Sequence, residues 1–406
     1  MELEIPVWLD AHWMQKVLRH SEKDNSIEVI DMFTKAATAK GDNYGSDMFR
    51  VSVQFSRKKA DQDSSEKKSI IVKAVPTEEG FRKELISRFH IFDTETSMLT
   101  NTLHKMNDQL KNGPPISATA LYAQPDPKLI VMEDLSVSGF QMADRTAGLD
   151  LAHSMLAIRG IGRFHASSVA LCEKEPDHSL LYRLGMFHND VPEDGKAFFT
   201  AGPQALADQV ETWPELGKRY ADKIRNLSKH VYELGIRTIA PHSEFNVINH
   251  GDLWVNNMLF KYDDNGKPIE HIFVDFQLSV YSSPAVDLLY FLYTSVMDEV
   301  LENHKEDLLE EYHRTLSSTM QELGCKTEAP TVEDLKRHMK ERSFYGMIAS
   351  FTVLPIVLIH SDNALALDEI LMKDGTYNNP AYLGETYRKI MIKRIPMYDE
   401  MGLLDY

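Results

Sequence analysis

The stretch "INHGDLWVNNMLF" (248–260) constrains this chain more than any other, because polar residues of particular type sit at fixed steps between apolar ones. His250-Gly251-Asp252 reads as a loop, and Asn257 follows Asp252 by five residues as the chain enters the apolar run "MLF". A second apolar run, "EHIFVDF", ends at Asp275, and "DDNGKP" (263–268) between them holds an Asn265-Gly266 pair suited to a tight hairpin turn. An isolated His-x-Asp is ordinarily a turn whose side chain bonds nearby backbone, and Asp275 alone could be a strand-end cap. The joint pattern outweighs both readings. In-line phosphoryl transfer needs a carboxylate facing an acceptor hydroxyl, together with hard oxygen ligands for a divalent cation. Mg²⁺ takes few protein oxygens and leaves the rest to water and phosphate, which one Asp and one Asn suit. Asp252 is therefore the candidate catalytic base, with Asn257 and Asp275 the candidate metal ligands. The five-residue step selects Asn257 over its neighbour Asn256.

The chain around this hairpin divides into unlike halves. Residues 1–35 read as helical, after which "MFRVSVQF" (48–55) and "SIIVKAV" (69–75) are β-rich, with the charged stretch 57–68 expected as a solvated loop. A long helical pattern over roughly 79–110 stops at "NGPP", and two short strands follow around "ATALYA" and "KLIVMEDL". From Asp144 the pattern is helical to about 240, with breaks expected near 188–203, and helices dominate again from 284. We expect an α+β fold of two lobes. Residues 1–135 form a small β-rich lobe with one long helix, and 136–406 form a large, mainly helical lobe.

The small lobe supplies the other half of a phosphate site. Strand alternation puts Ile71 and Lys73 on one face of "SIIVKAV" and Val72 on the other. A lysine in so apolar a strand needs a partner for its charge unless it lies at a sheet edge. Glu84 and Glu95, eleven residues apart on the long helical pattern, share a face, and periodicity does not choose between them. "GDNYGSDMF" (41–49) is a polar, glycine-bearing turn able to offer backbone N–H groups of Asn43, Tyr44, Gly45 and Ser46 to phosphates. "KLIVMEDLS" (128–136) leads from a strand into a connector. Its residues Met132, Glu133 and Leu135 could meet an adenine edge, or the segment could be a plain linker with Glu133 and Asp134 solvated.

Taken together, these motifs resemble the protein-kinase-like superfamily, and more narrowly the ecdysteroid kinase-like (CHK kinase-like) family, related to choline and aminoglycoside kinases. "GDNYGSDMFRV", "IIVKAVP", "FDTETSML", "IVMEDLS", "IGRFHASS", "INHGDLWVNNMLF", "FVDFQ", "SPAVDLLYFL" and "YDEMGLL" follow that family's order over nearly the whole chain. The resemblance implies that Glu95 is the partner of Lys73. It also implies that Asp252 is the base, Asn257 and Asp275 the Mg²⁺ ligands, and Asp287 a buried brace of the catalytic loop, with ATP the donor. Asp287 follows Asp275 by only twelve positions, too few for a segment on which a polypeptide could lie, so a small hydroxylated acceptor is expected. Trp254 stands where protein kinases carry a lysine, either as core or as part of an acceptor pocket. Gln277 replaces the glycine of Asp-Phe-Gly and implies a less mobile metal loop. The apolar stretch 342–360 is the first place to seek that pocket, although aromatic and methionine residues at helical spacing are more often core than ligand contacts, and none of them is named as a site residue.

Composition narrows the partners. A net charge of −17 opposes nucleic acid and anionic membrane. Cys172 and Cys325 lie far apart without metal spacing, which argues for a reducing setting. The N-terminus lacks a secretory pattern, and "FTVLPIVLI" (351–359) is too short to span a bilayer. We expect a cytoplasmic monomer that phosphorylates a small alcohol, steroid-like in frame or a xenobiotic. The competing readings are a nucleotide-binding pseudokinase and a choline- or aminoglycoside-type kinase.

Overall fold

Alternating apolar residues build the first part of the chain into an antiparallel sheet. The computed structural model describes every residue except 1–3, 39–44, 60–61, 77–80, 112, 192, 361–364, 366, 371–376 and 378. Helix α1 (Ala11–Glu22) precedes strands β1 (Glu28–Ala36), β2 (Asp47–Lys59) and β3 (Gln62–Ala74). With β4 (Ala120–Pro125) and β5 (Lys128–Glu133) they form one sheet in the order β1-β2-β3-β5-β4, each neighbour antiparallel. The pleat sorts β3 by parity. Ile70 and Val72 join Phe49, Val51 and Val131 in an apolar cluster with Met14, Val17 and Leu18 of α1, while Ile71 and Lys73 face a cleft on the other side. Lys73 is no edge residue, because β3 lies between β2 and β5.

Between β3 and β4 run α2 (Phe81–Arg88), α3 (Ile91–Ser97) and α4 (Leu103–Gln109), so the single long helix read from the sequence is broken. His90 takes φ 53, and Met98–Thr102 forms a π-helical turn that shifts the residues after it. With the helix broken at His90 between them, Glu84 and Glu95 do not share a face: Glu84 is exposed and paired with Arg88, and Glu95 is buried.

The rest is mostly helical. The short strand β6 (Gln141–Met142) and helix α5 (Leu151–Lys174) precede α6 (Glu193–Thr212), α7 (Gly217–Ser228) and α8 (Val231–Ile239). Strands β7 (Val247–Asn249), β8 (Met258–Tyr262), β9 (Pro268–Phe273) and β10 (Val280–Ser282) carry the hairpin region. There follow α9 (Ala285–Thr294), α10 (Asp298–Glu322), α11 (Val332–Glu341), α12 (Ser343–Thr352), α13 (Leu354–Leu358), α14 (Leu367–Ile370) and α15 (Glu385–Glu400). The β8–β9 turn is the expected one, with Gly266 at φ 77 and Asp263 accepting from the backbone of Asn265 and Lys267. Among the described residues no helix is long and apolar enough to cross a membrane.

Three local expectations are corrected. Residues 28–35, read as helical, lie in the edge strand β1, whose pairing with β2 overrides local propensity. The charged stretch 57–68 belongs largely to strands, since opposite charges neutralise one another: Arg57 meets Glu22 at 3.2 Å and Glu66 at 3.1 Å, and Lys68 meets Glu22 at 2.5 Å. Residues 193–203, read as a break, open α6. Its Gly202 serves close packing, as a Cβ there would come within 3.0 Å of Tyr382 Oη.

Candidate active site

The loop after β7 is held by a buried carboxylate beneath it. Asp287, in the first turn of α9, accepts the backbone N–H of His250 (2.7 Å) and of Gly251 (2.9 Å) and the ring N–H of His165 (Nε2, 3.0 Å). A fully buried carboxylate requires such donors, and the positive end of α9 adds to them. His165 is itself tied through Nδ1 to Tyr312 Oη at 2.8 Å. His250 Nε2 donates to Val274 O at 2.9 Å, and its Nδ1 accepts the Asp252 N–H at 3.4 Å, which fits a neutral ring protonated on Nε2. Gly251 has φ 82, and a Cβ there would lie 1.9 Å from Leu278 O. Gly251→Ala is thus expected to lower stability by at least ~2 kcal/mol through left-handed strain and this clash. An unchanged denaturant midpoint would contradict that geometry.

Asp252 and Asn257 are in direct contact. Asn257 donates through Nδ2 to the Asp252 backbone carbonyl (2.8 Å) and to its Oδ2 (3.1 Å). Because the amide nitrogen is used in this way, the Asn257 amide oxygen is the atom left for a cation. Tyr290 donates its hydroxyl to Asp252 Oδ1 at 2.6 Å. Burial raises the pKa of the Asp252 carboxyl above its ordinary value, against the donors Tyr290 and Asn257 and with Asp275 adding repulsion. The Val274 N–H meets Asn257 O at 3.0 Å, so the end of β9 delivers Asp275 beside Asn257. Asp275 itself has φ 66, an uncommon conformation for a non-glycine residue.

Lys73 joins the two halves. Its Nζ lies 2.6 Å from Glu95 Oε2 and 2.6 Å from Asp275 Oδ1. Burial opposes the ammonium charge, but Asp275 and Glu95 outweigh it and hold the amine's pKa above its ordinary value. Burial also pushes the Glu95 carboxyl up, against the pull of Lys73. Lys73, Glu95, Met132, Glu133, Leu135, Asn257 and Asp275 all line one cleft of about 350 Å³, and Asn256 lines it as well. Gly45 and Ser46 lie just before β2, with the carboxamide of Gln277 against Gly45, so close that a Cβ there would come within 3.0 Å of Oε1. Asn43 and Tyr44 lie outside the described residues.

Several participants carried little signal in the sequence. Asp134 is not solvated. It is buried and accepts from Arg50 Nε (2.9 Å), Ser69 (2.6 Å) and Ser136 (2.7 Å), pinning the connector to the sheet. Glu133 takes the backbone N–H of Thr119 at 3.1 Å. His165 and Tyr290 stand in "IGRFHASS" and "SPAVDLLYFL", stretches whose order could be read although the contacts could not. Trp254 is buried in the core, and the 342–360 stretch divides into α12 and α13. Its Tyr345 reaches the loop after β7, with its hydroxyl 3.4 Å from Gly251 O.

A lysine–glutamate pair on a small lobe, facing an aspartate, an asparagine and a second aspartate across a cleft, defines the protein-kinase-like superfamily. Within it the chain belongs to the ecdysteroid kinase-like family, whose model matches residues 40–325. No curated protein matches it in sequence. Among solved structures it is similar to an ethanolamine kinase of Plasmodium vivax, at 13% identity, 96% of this chain, 92% of that chain and TM-score 0.42. It is also similar to an amicoumacin kinase in complex with AMP-PNP, Ca²⁺ and Ami, at 14% identity, 84% and 86% coverage and TM-score 0.41. A third similarity is to an aminoglycoside 2'-phosphotransferase in its GDP complex, at 11% identity, 86% and 91% coverage and TM-score 0.36.

Proposed function

We propose that this protein is a kinase that transfers the γ-phosphoryl group of ATP to a hydroxyl of a small molecule, with an ecdysteroid or another steroid or xenobiotic alcohol as the acceptor class. The observation that carries the reading is the convergence of Lys73, Glu95, Asn257 and Asp275 on one cleft, with Asp252 bonded to Asn257. Phosphoryl transfer demands positioning and charge stabilisation more than covalent chemistry, and this set supplies both. Lys73, oriented by Glu95, meets phosphate oxygens. Asp252 accepts the proton of the acceptor hydroxyl. The connector from Met132 to Leu135 flanks the adenine, and the turn holding Gly45 and Ser46 covers the phosphates.

The donor set fits Mg²⁺: a carboxylate and an amide oxygen, both hard, with the Asn257 nitrogen already engaged. When bound there, the cation neutralises phosphate charge. Asp275 and Asn257 would hold it. The twelve-position step from Asp275 to Asp287 favours a small acceptor over a polypeptide, and we place the protein in the cytoplasm as a monomer.

Purified protein given Mg·ATP and a panel of hydroxylated steroids, xenobiotic alcohols, choline and aminoglycosides is expected to yield a product heavier by one phosphoryl group, and EDTA is expected to stop its formation. Transfer to choline or an aminoglycoside alone would reassign the acceptor. A nucleotide-dependent rise in melting temperature without transfer to any acceptor would replace the kinase with a binding protein.

A further inference from the structure

We propose that Tyr290 is a positioning residue that aims the carboxylate of Asp252 at the acceptor hydroxyl, an inference that rests on reading Asp252 as the base. Helix α9 meets three successive residues of the catalytic loop. Asp287 takes the backbone N–H groups of His250 and Gly251, and Tyr290, three residues later on the same helical face, donates its hydroxyl to Asp252 Oδ1 at 2.6 Å. The first contact fixes the loop backbone and the second fixes the side chain it presents.

A carboxylate has free rotation about its last torsion, so a single donor leaves it in a range of orientations. Asn257 Nδ2 restrains Oδ2 at a longer 3.1 Å, and Tyr290 restrains Oδ1 at 2.6 Å. Two donors on opposite oxygens set the carboxylate plane and leave the remaining lone pairs for the acceptor. The Tyr290 contact is a short bond from a hydroxyl to a buried carboxylate, of the charge-assisted kind. Tyr290 cannot swing away, because it is buried and its ring stands 5.9 Å from that of Tyr345, which itself reaches Gly251 O. A buried tyrosine hydroxyl needs some partner for stability alone. Here the partner is the one carboxylate whose direction matters for transfer.

The test is Tyr290→Phe, followed by ADP release from Mg·ATP with water and with the alcohol panel as acceptors, by melting temperature, and by a crystal structure. Loss of the donor is expected to lower kcat roughly 10- to 100-fold with KM for ATP unchanged. In the crystal the Asp252 carboxylate is expected to rotate or take more than one orientation. A kcat within about twofold of wild type, or a carboxylate in its original orientation, would overturn the proposal. If the wild-type protein transfers nothing while the carboxylate reorients in the variant, the positioning stands and the kinase reading falls. Equal turnover by both proteins does the reverse. Should Tyr290→Phe not fold, 3-fluorotyrosine at 290 keeps the shape and changes the donor strength. An altered kcat at constant KM then supports the proposal, and an unaltered one overturns it.

Discussion

Asp252→Ala is expected to lower kcat for phosphoryl transfer roughly 10²- to 10⁴-fold, the usual contribution of a positioned base. Asp252 is bonded to Tyr290 and Asn257, whereas the contacts assigned to nucleotide come from the cleft residues Lys73, Glu95 and Asp275 and from the connector. Nucleotide affinity is therefore expected to survive, so the loss falls on kcat and leaves the Kd for ATP within about threefold. The measurement is product formation beside an ATP titration on the same preparation. A variant that keeps wild-type turnover would remove Asp252 from the mechanism and with it the reading of the whole loop.

Lys73→Met removes the charge that compensates Glu95 in the interior. Lys73 is 2% and Glu95 1% exposed, so the substitution strands a buried carboxylate, at a cost of ~3–5 kcal/mol in stability as well as loss of transfer. The pH dependence follows from burial, which already raises the Glu95 carboxyl above its ordinary 4.5 with Lys73 present. Without the ammonium the native variant holds a proton on Glu95 that the unfolded chain releases at its ordinary value. A folded-state pKa above the unfolded one means that stability is gained as pH falls, so the Lys73→Met deficit should shrink on acidification from about pH 8 toward about pH 5. Lys73→Met combined with Glu95→Gln should recover part of the loss, since removing both partners costs less than stranding one. Denaturant midpoints across pH test this. A pH-independent deficit, or a double variant no more stable than the single one, would mean that the pair does not carry the energy its burial implies.

Legibility in this chain followed the range of the interactions. The hairpin with Asn257 and Asp275, the parity of Ile71, Val72 and Lys73, and the β8–β9 turn were readable because a two-residue period and Asn-Gly turn chemistry act over a few neighbours. The choice between Glu84 and Glu95 was not readable from periodicity. It depends on the left-handed His90, which breaks the helix between the two glutamates and which an ideal 3.6-residue repeat does not contain. The edge strand β1 and the charged ribbon after Arg57 were missed for a related reason. Their extended form is maintained by a neighbouring strand and by ion pairs to Glu22, not by their own pattern.

By itself the sequence determined the order of the chemical parts, the five-residue step from Asp252 to Asn257 and the short span from Asp275 to Asp287, because covalent spacing limits what those residues can reach. Only the tertiary structure decided which partners meet across distance: Lys73 with Glu95 and Asp275, Asp287 with His165 and the loop amides, Asp134 with Arg50, and Tyr290 with Asp252. Those pairs join residues from separate elements. Their contacts exist because buried charges and hydroxyls must find partners once the core has closed around them, a condition that arises from packing and leaves no mark at any single position.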